Sequence, residues 1–439
     1  MTYAPCRCSG QGVFVMAEYK KLANGIEIVT DPAPSCETLS INVSFRVGSC
    51  DEGDAPHGIA HFMEHMAFKG TATRSATDIS DEITGRGGFI NATTDWDTTS
   101  FTCTTMKEEL AHSIDVLADI VTRPRLALED VEIERNVILQ EMEERKGTWS
   151  TLDECFYTSA YGEQDLSRPI IGTDEGVRAV TPDKLRWFME QHYVTGNLMV
   201  AVAGDVRHAD TVALVEEKFA RLPTGPRNSM PSFEYYGGEQ GFACSCERGI
   251  VRYGFEAPTN GTPGAATAAL FRSLAAVGPA SRMYRELRER RGLIYDVSGY
   301  QTTHCGSSMT VFTTEGHAAK IRDIFLSMHE VLGGLCETLT EEELERMRRI
   351  NIATMRMHRD SVTSRTDAAI FELVSAGKVF DLAADRKAYE AVTVEDAKAY
   401  GRAVFASPAT LAVHGPARGM PKLASLKASR GPKSVRKAA

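Results

Sequence analysis

The 439-residue sequence contains no apolar run approaching the ~18–20 residues that a membrane-spanning helix requires, so neither a bilayer span nor a membrane partner is expected. It has no excess of positive charge. Lys and Arg number 49 against 59 Asp and Glu, a net charge of −10, which argues against nucleic acid as a partner. Cysteine is too sparse for a disulfide scaffold, ten in the whole chain. The two close pairs, Cys6/Cys8 and Cys244/Cys246, are Cys-x-Cys rather than the C-x(2–4)-C of structural zinc sites, and read as ordinary reduced thiols. The N-terminus lacks an apolar core of signal-peptide length, so a cytoplasmic location is expected. Compositional bias is absent as well: 43% hydrophobic and 25% charged residues describe a globular chain and exclude a disordered or collagen-like one.

Turn signals and apolar spacing divide the sequence. Asn24-Gly25 is a hairpin turn, followed by strand-like alternation at Ile26, Ile28 and residues 39–47. Residues 58–68 have helical spacing, with Ile59, Phe62, Met63 and Met66 on one side. Strands are expected over 89–105, an amphipathic helix over 107–121, a Glu-rich helix over 129–145 and a short buried strand over 198–203. A stretch rich in proline and glycine then interrupts the periodicity. Beyond it the pattern resumes as strand (250–255), helix (265–277), helix (281–291), strands (295–313) and helices from 318. The expected class is α+β in two similar halves joined by a linker at 223–241. An extension at 1–16 precedes them. A tail at 416–439, with seven Lys or Arg and no acid, is expected to be disordered. Such halves are compatible with a duplication, although no exact repeat is visible.

The chemistry concentrates at His61-Phe62-Met63-Glu64-His65. On a helix turning ~100° per residue, His61, Glu64 and His65 share one side. Two imidazoles at i and i+4 can then hold one Zn²⁺, with a carboxylate placed to act on water at the metal. This H-x-x-E-H order is expected by chance only about 0.02 times in a chain of this composition. A catalytic zinc takes a third protein ligand, and the helix over 129–145 is the evident donor. Glu134 and Glu141 lie two turns apart on one side of it, and the residues alone do not choose between them.

Further segments accompany the motif: Leu22-Ala23-Asn24-Gly25, Gly88-Phe89-Ile90-Asn91-Ala92-Thr93, Arg168-Pro169 with Gly172-Thr173, Val202-Ala203-Gly204-Asp205, and Leu287-Arg288-Glu289-Arg290-Arg291-Gly292-Leu293-Ile294-Tyr295. With them the chain, from about Leu22 to His414, resembles the pitrilysin-type metallopeptidases, the family of mitochondrial processing peptidase and insulin-degrading enzyme, and within it the short two-domain bacterial peptidases. The resemblance implies two domains, each a mostly antiparallel sheet packed against helices and together forming half of a clamshell. The zinc-binding catalytic domain would span 17–222 and its homologue, carrying an Arg/Tyr pair, 242–415. It implies one zinc per chain on His61, His65 and Glu141, with Glu134 supporting a ligand histidine and Glu64 as general base. Asn91, Ala92 and Thr93 would hold an extended peptide substrate along a strand edge. Arg288 and Tyr295 would stabilise the oxyanion.

The expected activity is therefore zinc-dependent endoproteolysis of unstructured peptides enclosed in a chamber. The alternatives are a dedicated peptide-maturation protease acting with a partner subunit, and a non-catalytic peptide-binding scaffold. One chain carries both the zinc motif and the Arg/Tyr pair, so a homodimer with composite active sites is expected.

Overall fold

The computed structural model describes residues 16–147, 149–243, 245–416 and 420–427. The expected extension, apart from Met16, and most of the expected tail lie outside these residues.

Two sheets organise the chain. The first contains β1 (Glu18–Lys21), β2 (Glu27–Pro32), β3 (Thr38–Phe45), β4 (Phe89–Thr94), β5 (Thr99–Met106) and β6 (Leu198–Gly204), in the order β1-β2-β6-β3-β5-β4. The second contains β7 (Gly238–Ala243), β8 (Arg248–Glu256), β9 (Ile294–His304), β10 (Ser307–His317) and β11 (Ala409–Gly415), in the order β7-β11-β8-β10-β9. Without β1 the two orders correspond strand for strand. Each has one parallel pair, β2 with β6 and β7 with β11, and antiparallel pairs elsewhere. The likeness of the two halves that no residue repeat reveals is present in the topology.

The central strands of both sheets are buried on two faces. In β6, Leu198, Val200 and Val202 enter the core of the first half, which packs against the helices Ile59–Ala67, Leu110–Thr122 and Pro182–His192. The alternate residues Met199 and Ala201 face the other way. There they meet Ala369, Ile370 and Leu373 of the helix Val362–Ser375, which belongs to the second half. The exchange is reciprocal. Leu152, Phe156 and Tyr161 of the helix Trp149–Tyr161, from the first half, cover Ile250, Met309, Val311 and Ala412 of the second sheet. Period-two alternation on a doubly covered strand requires this arrangement, because both side-chain sets are apolar. Polar contacts join the same faces: Ser40 Oγ to Thr366 Oγ1 at 2.9 Å, and Asp31 to both Arg359 and Arg365 at 2.7 Å.

Three expectations need correction. The second sheet begins inside the stretch read as a linker, since β7 occupies Gly238–Ala243; its glycines hide a strand whose pairing is supplied by β11. The helix expected at 281–291 is present, but its turns over Tyr284–Arg290 are those of a π-helix. Within the stretch read as a tail, Leu426 of the short helix Ala424–Lys427 is buried in the second core, with Met420 and Leu423 packed beside it. Of the cysteines, Cys36, Cys50, Cys103, Cys155, Cys305 and Cys336 are free thiols, whereas Cys246, expected as a reduced thiol, is disulfide-bonded. Among the described residues, no helix is long and apolar enough to cross a membrane.

Candidate metal centre

The H-x-x-E-H segment lies on the helix Ile59–Ala67, which is buried almost all round. Its entry is fixed by Gly58, at φ 97°, which has no room for a side chain: a Cβ would come within 2.6 Å of the Ile171 carbonyl oxygen. The first amides are capped by a side chain from outside the helix. Glu52 accepts from Gly58 N at 3.0 Å and Ala60 N at 3.1 Å. Burial, only partly opposed by these bonds, raises the Glu52 pKa to about 7.

His61, His65 and Glu141 converge. Glu141 Oε2 stands 3.9 Å from His61 Nε2 and 3.8 Å from His65 Nε2, and one donor atom from each residue falls within 4.8 Å of the others. These separations are too long for hydrogen bonds. They suit a shared cation, since tetrahedral zinc with bonds of about 2.0–2.2 Å places its ligand atoms about 3.4 Å apart. Two imidazoles and one carboxylate are a zinc donor set, so the residues fit the group. Burial, reinforced by His65 and Arg145, pushes the His61 pKa down to about 3, which keeps that ring neutral, the form that binds metal.

Glu134 occupies a different position from Glu141. Its Oε2 lies 2.9 Å from His65 Nδ1 and its Oε1 lies 2.5 Å from Lys69 Nζ. Burial works to raise its pKa, but the bonds to His65 and Lys69 prevail and hold it below the usual value. Glu141 is held from behind by Arg145, one turn further along, at 2.8 Å. Lys69 and Arg145 passed unnoticed in the sequence, although each stands four residues after a member of the cluster, the spacing of a helical pair.

Glu64 faces β4. It accepts a hydrogen bond from Thr94 Oγ1 at 2.5 Å, and burial raises its pKa against that bond. Thr94 was also missed. It ends the strand that carries Asn91, Ala92 and Thr93, and among the described residues β4 is the terminal strand of its sheet, paired with β5 alone. Asn91 and Thr93 are exposed and Ala92 is buried.

Arg288 and Tyr295 are brought together but not to this cluster. Arg288 sits on the π-helix between two rings, 5.3 Å from the Tyr284 centroid and 4.5 Å from that of Tyr295, and donates to the Tyr295 carbonyl. Tyr295 is 74% exposed on β9, the terminal strand of the second sheet. No hydrogen bond, ion pair or ring contact found among the described residues links either to His61, Glu64, His65 or Glu141.

Fold and motif together define a short, two-domain pitrilysin-type chain. Residues 27–174 match the family model described as insulinase, peptidase family M16, and residues 179–351 match the model of the peptidase M16 inactive domain. An uncharacterized zinc protease of Rickettsia felis is 30% identical over 409 residues, covering 90% of this chain and 97% of its own. One of Mycobacterium tuberculosis is 29% identical over 426 residues, covering 91% and 94%. The crystal structure of a protease from Helicobacter pylori has the same fold, with a TM-score of 0.83 at 20% identity, over 91% of this chain and 99% of that one. The chain belongs to peptidase family M16.

Proposed function

We propose that the protein is a zinc-dependent endopeptidase that cleaves unstructured peptides, with His61, His65 and Glu141 holding the metal. The observation that carries this reading is the convergence of those three side chains beside Glu64, at the end of a strand whose outer edge is unpaired among the described residues. Zinc bound there would supply Lewis-acid polarisation of the scissile carbonyl and an acidified water. Glu64 is the general base: its carboxylate takes the proton of the attacking water and passes it to the leaving amine. Its burial suits that exchange, because a carboxylate with a raised pKa holds a proton longer at neutral pH. Glu134 fixes the His65 tautomer by accepting from Nδ1, which leaves Nε2 as the ligand atom. The β4 edge pairs with the substrate backbone at Asn91, Ala92 and Thr93.

Arg288 and Tyr295 serve the oxyanion from the second half of a partner copy, in a homodimer with composite sites. Their exposure on a separate sheet favours this arrangement. The test is a peptide-library digest read by mass spectrometry, with zinc-loaded and chelated protein and with Glu64→Gln. Cleavage by the loaded wild type alone is expected, while Glu64→Gln retains zinc, since Glu64 is not a ligand. Cleavage by Glu64→Gln at the wild-type rate would sink the mechanism.

A further inference from the structure

A cavity of about 740 Å³ lies in the second half, walled by the helix Ala265–Ala276, the turn before it and the helix Leu382–Ala391. Arg272, the one charged residue of the former helix, lines it. Its guanidinium is poorly satisfied. Nε is buried without a partner among the described residues, and Nη1 reaches Gln301 Oε1 at 3.5 Å, the long limit of a hydrogen bond. Burial lowers its pKa, and the groups that oppose this are the phenols of Tyr389 and Tyr400, not a carboxylate.

The acids of the cavity are engaged elsewhere. Glu372 takes Asn260 Nδ2 at 2.6 Å and lies 3.6 Å from Lys378, which also stands 3.9 Å from Asp385. Asp396 caps its own helix through Thr393. Among the described residues, Lys378 is therefore the neutralised cation of this cavity and Arg272 the unneutralised one. A half-buried guanidinium whose Nε is shut away from solvent without an acid is costly, and such a group calls for a counterpart.

The cavity also has an approach. Gln301 and Phe371 line both it and a second hollow, of about 490 Å³, which runs between the two halves past Thr93 and Thr94. The two hollows are thus neighbours, and the second passes Thr94, the hydrogen-bond partner of Glu64. The guanidinium fork matches a planar carboxylate with two parallel hydrogen bonds. Glu372, Asp385 and Asp396 share the cavity and would repel a doubly charged phosphate more strongly than a single carboxylate.

We propose that Arg272 forms a carboxylate-binding subsite at the far end of the groove, which takes either the C-terminal carboxylate or an acidic side chain of an extended peptide. This rests on the reading of that groove as the substrate path. The probe is an unstructured peptide of about ten residues, fluorescently labelled at its N-terminus, in three forms: free C-terminal acid, C-terminal amide, and amide with a Glu near the terminus. Binding is read by anisotropy on full-length Glu64→Gln protein, which holds the peptide without turning it over.

Either carboxylate form is expected to bind about tenfold more tightly than the plain amide, the scale of one charge-assisted pair. Adding Arg272→Gln should bring that ratio to one, and Arg272→Lys should retain part of it, which reports an intact fold. A tightened free acid identifies the terminus, and a tightened Glu form identifies the side chain. Equal binding of all three forms, no binding of any, or a preference that survives Arg272→Gln overturns the proposal. Zinc-loaded wild type is assayed on the same peptides. Cleavage without a carboxylate preference removes the subsite and leaves the peptidase, whereas preference without cleavage does the reverse.

Discussion

Glu134 lies 2.9 Å from His65 Nδ1, on the side of the ring opposite the nitrogen that faces Glu141. One imidazole therefore stands between two carboxylates with different tasks, one orienting the ring and the other sharing the space a metal would fill. Glu141→Gln should strip most of the zinc, because it removes an anionic ligand. Glu134→Gln should keep zinc at near-stoichiometric loading but weaken its affinity about 10–100-fold. Metal analysis after dialysis, followed by competition with a chelator, separates the two. The reverse order would exchange their roles.

A second prediction concerns pH. The Glu52 pKa is raised to about 7 in the folded protein, above the ~4.3 of an unfolded glutamate, so folding favours its protonated form. Its contribution is then fully present below about pH 4.3 and is lost as pH rises through 7. Between about pH 5 and 8 the thermal midpoint of the wild type should fall more steeply than that of Glu52→Gln, in chelated protein. Parallel curves would show that Glu52 does not titrate in this window.

The composite site can be tested by mixing. Glu64→Gln and Tyr295→Phe proteins should each be nearly inactive. After subunit exchange, about half the dimers are mixed, and in each of these one site carries both lesions and the other neither. About a quarter of wild-type activity should return. If the Arg/Tyr pair acts within its own chain, every site keeps one lesion and nothing is regained. A monomer by sedimentation excludes the arrangement outright.

Asp31 bonds both Arg359 and Arg365, and its carboxylate is almost fully buried. Asp31→Asn leaves two guanidinium groups facing a neutral amide, a loss of about 3–5 kcal/mol for a broken buried pair. The thermal midpoint should drop by several degrees and the 362–375 segment should become a protease target. An unchanged midpoint would mean that solvent screens this network.

The zinc-motif helix, the hairpin at Asn24-Gly25 and the strands around it could be read from the sequence, because each depends on local spacing. Glu134 and Glu141 could not be told apart, since both face the same way and only the crossing of two helices decides which meets both histidines. Glu52 gave no signal: it stands six residues before Gly58, outside any usual capping interval. Arg272 did leave one, a lone charge in an otherwise apolar and small-residue helix, as Leu426 did in an apolar spacing overlooked within a basic stretch. The exchanged helices Trp149–Tyr161 and Val362–Ser375 were beyond reach, because an apolar face does not state which sheet it covers.

That exchange makes the covalent link between the halves redundant. A chain nicked within 223–237 would hold together through the two exchanged helices and the Asp31 network. The same halves synthesised separately would each display one naked sheet face and one orphaned apolar helix. They would be obligate complements, insoluble apart and able to reconstitute when co-expressed.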